Sequence, residues 1–457
     1  MKVRGRARTA GALGRLAVIV ALLIAGAAGT AMAHAALRRS DPPNGGRVPR
    51  PPRELRLEFT EAVASRTSRV TLVAPDSQRF SLDVTADSTI ANVLVAHVPA
   101  LRIAGHYRVE WRLVGSDSHA VTGNYSFTVD SIPTPPDTAR VPPIEERRMQ
   151  TPSDSPAQWG IRFAASTVLV TVIGSVAFAL FVLPVAVRAD AGSTRKFRAA
   201  VDSRLHSLCV AGGWLLLALG VVRLVSQGAA LSGSMAALSF GDLGDLVAGS
   251  TFGRGWLLQM VAAVALLLVL RLSGATRWRL LAGISVALAL SAALLGHPAA
   301  APNVPLLAIG IDAAHALGAG GWAGAILVMA IAALPQVVRV PADHKLLLAR
   351  NLLRAFSPLA LTCAAVLIVT GAASAWLQLR DLGLLFDSPY GVVLVRKVVV
   401  VLLIAALGAY HWRVAQPSMT RERSVVLLRR SIAFDLVLVL LVLVLTAFLT
   451  GTAPPTR

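Results

Sequence analysis

The sequence predicts two parts of different class: an exported all-β, immunoglobulin-like sandwich, then an all-α polytopic membrane domain of eight transmembrane helices. Three observations predict this. Apolar and polar residues alternate in short runs between residues 55 and 129. Long apolar runs recur from Gly160 onward. Basic residues gather in alternate connections between those runs. Hydrophobic residues make up 55% of the 457, above the roughly 45–50% of soluble domains. The excess lies in the first 30 residues and again from Gly160. A formal charge of +20 would suit a nucleic-acid partner, but the arginines and lysines sit in short loops between apolar runs, which excludes that class.

Residues 1–33 read as a secretory signal. Lys2, Arg4, Arg6 and Arg8 form a basic head, with Arg15 extending it. An apolar stretch over residues 16–27 precedes Ala31-Met32-Ala33, a small-x-small cleavage site. The alternative is an uncleaved anchor helix. Cleavage after Ala33 makes His34 the amino terminus and lowers the charge from +20 to +15. A terminal histidine offers its α-amine and its imidazole to one metal ion.

Residues 34–130 form the β domain. Leu55, Leu57 and Phe59 alternate with polar residues, as do Val70 and Leu72, then Tyr107, Val109, Trp111 and Leu113, then Tyr125, Phe127 and Val129. Turns fall at residues 42–46 and at Ala74-Pro75-Asp76. The cysteines, Cys209 and Cys363, both lie in apolar runs beyond this domain, so no disulfide staples it.

Here a resemblance becomes specific. His34-Ala-Ala-Leu-Arg-Arg-Ser40-Asp-Pro42-Pro-Asn-Gly45 resembles the mature start of the CopC copper-binding family. Leu55-Arg-Leu-Glu-Phe59-Thr-Glu61 continues the match, as does the run from Tyr107 through Trp111, Asp117-Ser118-His119 and Gly123 to Phe127. The resemblance implies a Cu(II) site of His34, Asp117 and His119. Nitrogen donors with one carboxylate suit tetragonal Cu(II). Ser118 departs from the family, where glycine is usual. By itself His119 would read as a surface histidine, and His97 and His106 as ordinary strand-end residues. No methionine occurs between His34 and Asp130, so a methionine-rich Cu(I) site is not expected.

Residues 131–158 form a tether stiffened by Pro133, Pro135, Pro136, Pro142 and Pro143. The membrane domain, 159–457, holds eight apolar runs: 160–187, 205–226, 256–272, 280–295, 306–327, 356–377, 392–410 and 432–449. The third and fourth are short and are expected to extend into their flanks. Arg188 to Arg204, Arg271 to Arg279, Arg339 to Arg354 and Arg413 to Arg430 mark basic loops, whereas residues 227–253 and 298–305 contain no lysine or arginine. This pattern places the basic loops in the cytoplasm and both the β domain and the C-terminus outside a bacterial inner membrane.

Ionisable residues inside spans are costly and usually functional. His297 ends the fourth run; Asp312 and His315 lie three residues apart near the start of the fifth, on one helical face. The three can form an outer copper-receiving site, although a structural Asp–His hydrogen bond would use the same residues. His206, Cys209, His411 and Asp435 fall near the cytoplasmic ends, as an exit station or as ordinary interfacial residues. Phe252-Gly-Arg-Gly-Trp256, Gly296-His297, Asp312-Ala-Ala-His315 with Trp322-Ala-Gly324, Thr370-Gly371, and Pro389-Tyr390-Gly391 with Lys397 resemble the CopD copper-transport family. Ala323 and His411 depart from it, where glycine and asparagine are common.

The expected function is copper delivery: the exported domain captures Cu(II) and the membrane domain passes copper inward, with the lipid bilayer and other periplasmic copper carriers as partners and no enzymatic activity. Sequestration or resistance without transport is the alternative. A haem-holding membrane oxidoreductase is a third reading, though no Cys-x-x-Cys-His is present. The absence of a phosphate-binding Gly-Lys-Ser/Thr loop argues against ATP-driven pumping.

Overall fold

The computed structural model describes residues 37–60, 63, 65–87, 90, 92–101, 103–114, 120–130, 156–188, 194–232, 234–296, 305–379, 383–410, 413 and 423–452.

Eight strands build the N-terminal domain: β1 (Leu37–Asp41), β2 (Gly46–Val48), β3 (Glu54–Phe59), β4 (Arg69–Val73), β5 (Arg79–Ala86), β6 (Val93–His97), β7 (Gly105–Val114) and β8 (Ala120–Val129). Their order is β1-β3-β6-β5-β4-β7-β8-β2. All neighbours are antiparallel except the short β2, which runs parallel to β8. β5 belongs to both layers. Its first half pairs with β4, Leu82 opposite Val70, and its second half with β6, Val84 opposite Ala96. The residues picked out by alternation all face inward: Leu55, Leu57, Phe59, Val70, Leu72, Tyr107, Val109, Trp111, Leu113, Tyr125, Phe127 and Val129 are buried. Trp111 pairs across the ladder with Gly123. A Cβ on Gly123 would come within 2.3 Å of the indole, so only glycine leaves the ring its place.

The helical domain comprises α1 (Pro156–Ala186), α2 (Arg195–Ser232), α3 (Phe240–Gly249), α4 (Thr251–Val269), α5 (Gly274–Leu294), α6 (Leu306–Val337), α7 (Ala342–Leu379), α8 (Leu384–Asp387), α9 (Pro389–Tyr410) and α10 (Arg423–Leu449). Eight of them, all but α3 and α8, are long and apolar enough to cross a membrane. The third and fourth spans do extend beyond their apolar runs, to 19 and 21 residues. α1 and α6 each change to a π-helical turn ahead of a proline, at Phe178–Val182 before Pro184 and at Met329–Ala333 before Pro335. The wider turn relieves the clash between the proline ring and the preceding carbonyls. A further π-helical turn, Gly320–Gly324, lies where α6 crosses α1. A Cβ on Gly174 would come 2.3 Å from the carbonyl carbon of Gly324, so backbone meets backbone at this crossing.

α3 is a short helix between two spans, capped by Ser239, whose hydroxyl accepts from the Asp242 amide at 3.1 Å while the Asp242 carboxylate accepts from the Ser239 amide at 3.1 Å.

Candidate metal centre

The ionisable residues expected on the fifth span meet side chains from two other helices. Asp312 and His315 stand on α6, second and third turns in, both half-buried. Six residues separate Asp312 from the helix start at Leu306, about 9 Å of rise. His315 Nδ1 lies 2.9 Å from Thr370 Oγ1 on α7. The single hydroxyl proton of Thr370 is already committed to the Val366 carbonyl, at 2.6 Å. With its proton so used, the Thr370 oxygen is free to accept from an Nδ1–H of His315. That tautomer leaves the Nε2 lone pair for a ligand. Gly371 lies against the imidazole: a Cβ there would stand 3.5 Å from Cε1. Thr370 and Gly371 thus position one ring, through a hydrogen bond and through space.

Lys397 on α9 acts electrostatically on both Asp312 and His315. Tyr390, buried at the start of α9, donates its hydroxyl to Gln378 Oε1 of α7 and feels the Asp312 charge. Carboxylate, imidazole, ammonium and phenol thus occur on α6 and α9, with α7 supplying hydrogen-bond partners to the imidazole and the phenol. Burying such groups is costly in a bilayer unless they serve one another or an ion.

The remaining motif residues have packing roles. Trp256 donates its indole N–H to the Gly220 carbonyl at 2.9 Å. Gly253 admits the Val247 carbonyl, which a Cβ would meet at 2.1 Å. Ser250 caps α4 by accepting from the Gly253 amide at 3.0 Å.

At the end of the bundle bearing the basic loops, His206 Nδ1 lies 3.4 Å from the Arg277 guanidinium, which also reaches Asp202 at 2.7 Å. Trp278 donates to the same carboxylate at 2.9 Å. These bonds tie α2 to α5. Cys209 is buried on α2. Asp435 is buried on α10. Among the described residues, no three His, Cys, Asp or Glu side chains gather as a metal-binding group. His411 lies outside the described residues. Sequence reasoning did not anticipate the Arg277–Asp202–His206 contact.

His34, Asp117, His119 and His297 also lie outside the described residues. The residues flanking the first three converge, however. Leu37, three residues after His34, is paired with Phe59, whose ring meets Trp111 edge-on at 6.1 Å between centroids. Trp111 precedes Val114, which pairs with Ala120 at the base of the β7–β8 hairpin. The start of β1 and the hairpin base therefore share one end of the sandwich. Three residues span at most about 10 Å. His97 and His106 are at strand ends, as expected, and His97 Nδ1 lies 3.5 Å from Glu54.

Comparison with known proteins finds related families along the chain. The CopC domain family matches residues 37–130. The family described as Copper resistance protein D-like, N-terminal domain matches residues 152–304, and Copper resistance protein D matches residues 350–449. Copper transport protein CutJ of Bacillus subtilis (strain 168) is 24% identical over 440 residues, covering 93% of this chain and 75% of that protein. Copper resistance protein C of Escherichia coli is 32% identical over 122 residues, covering 25% of this chain and 94% of that protein. Among solved structures, CopC from Methylosinus trichosporium OB3b aligns with 21% of this chain and 94% of its own, at 27% identity and a TM-score of 0.21. With a CopC domain followed by both parts of a CopD-type membrane region, the chain belongs to the CopC–CopD family of copper resistance and copper transport proteins, joined here in one polypeptide.

Proposed function

We propose that the chain imports copper across a bacterial inner membrane. The β domain, exported and cleaved from residues 1–33, captures Cu(II) through His34, Asp117 and His119. The membrane domain receives copper at Asp312 and His315, assisted by His297, and passes it inward. The observation that carries this reading is the 2.9 Å contact of His315 Nδ1 with the Thr370 hydroxyl. Thr370 holds the imidazole by that nitrogen, one turn from a carboxylate on the same helical face. Metal-ligating histidines are commonly held through the other ring nitrogen in this way. The alternation of basic loops supports an outward-facing β domain and C-terminus.

Copper uptake by reconstituted proteoliposomes tests the reading. The intact protein should accumulate copper. Deleting residues 34–130 should slow uptake when copper is scarce and leave it near the intact rate when copper is abundant. Copper bound by the protein without entry into the lumen would instead favour sequestration.

A further inference from the structure

The β domain rests on the membrane domain through a small polar contact. Arg69, at the start of β4, reaches the carboxylates of α3: its guanidinium lies 2.8 Å from Asp242 and 3.9 Å from Asp245. The neighbouring turn Ser65–Thr67 packs on α3. Arg112 of β7 donates to the backbone carbonyl of Ser232, the last residue of α2, at 3.0 Å. The Ser232 hydroxyl in turn donates to Asp242 at 3.1 Å. Burial opposes the charge of Asp242, yet hydrogen bonds from Ser239, Arg69 and Ser232 hold its carboxyl below the ordinary value. It therefore stays ionised and available to Arg69 at neutral pH.

The docked end is not arbitrary. Arg69 and Arg112 are directly paired across the β4–β7 ladder. Both sit at the end of the sandwich where β7 runs toward the hairpin base and where Phe59 meets Trp111. The β1 start and the hairpin base lie at that same end. We infer that the Arg69–Asp242 contact is a latch that docks the ligand-bearing end of the β domain onto α3 and the end of α2, so that copper passes directly from one half of the chain to the other. The inference rests on the capture-and-delivery reading above. It adds the surface of transfer and the side chains that hold it.

The β domain contains no lysine between residues 34 and 130, which makes the contact easy to trap. In the full-length protein, Arg69→Lys places an ammonium beside two carboxylates. A zero-length carbodiimide should then join position 69 to Asp242 or Asp245, and peptide mass spectrometry would locate the bond. The yield should fall in molar salt, which screens partly exposed charges. In proteoliposomes at scarce copper, Arg69→Glu sets like charges together and should slow copper uptake roughly threefold to tenfold, while the Cu(II) affinity of the same protein stays at the wild-type value. Absence of the cross-link, or uptake by Arg69→Glu at the wild-type rate, would overturn the latch. Failure of the delivery reading looks different: deletion of residues 34–130 would then leave uptake unchanged at every copper concentration, and the cross-link alone would still decide whether the domains dock.

Discussion

His315→Ala is expected to abolish copper accumulation in cells while the protein remains inserted and the β domain keeps its Cu(II) affinity. The substitution removes the imidazole that Thr370 holds, three residues after Asp312 on the same helix. An aspartate at a helix centre costs about 2.5–3.5 kcal/mol on insertion scales and less toward an end, so Asp312 within its span calls for a partner or an ion. Thr370→Val should act in the same direction but less severely. It frees the ring to rotate without deleting the ligand, and losses of supporting partners commonly lower metal affinity about 10–100-fold. His344→Ala, on a basic-loop segment away from the cluster, should accumulate copper like wild type. The measurement is cellular copper normalised to protein in the membrane. Wild-type accumulation by His315→Ala would return Asp312 and His315 to a packing role.

The second large effect is expected in the β domain. His119→Ala should weaken Cu(II) binding at least tenfold, because loss of a direct ligand should exceed the change produced by a supporting partner. Titration of the full-length protein in detergent reads this, with His97→Ala as comparison. His97 ends β6 beside Glu54, away from the β1 start and the hairpin base, and its substitution should leave the affinity unchanged. Unaltered affinity in His119→Ala would assign the ligand to another residue.

Much of the architecture was legible because each part carries a periodic or compositional signal. Strands with one buried face declare themselves by alternation, as with Leu55, Leu57 and Phe59. β6 does not: Val93 to Ala96 are all buried, so the run has no period of two. The eight spans follow from length and hydropathy. α3, with only ten residues, falls below any spanning threshold, and its signal is the Ser239-x-x-Asp242 cap instead. In the membrane site, Asp312 and His315 could be paired from their spacing. The partnership of His315 with Thr370 could not, because the two lie 55 positions apart and a helical threonine ordinarily turns its hydroxyl to its own backbone. Here Thr370 does both. The Arg277–Asp202–His206 contact was hidden for a similar reason: it joins two helices through side chains more than 70 positions apart.

The strand shared by both layers of the β domain bears on how that domain comes apart. β5 gives its first residues to one sheet and its last to the other, so one continuous strand of eight residues joins the two sheets. Opening the domain from this side is expected as one event rather than two. Amides of β4, β5 and β6 should accordingly exchange with solvent at similar, slow rates set by opening of the whole domain, whereas β2, three residues long and paired on one side only, can fray by itself.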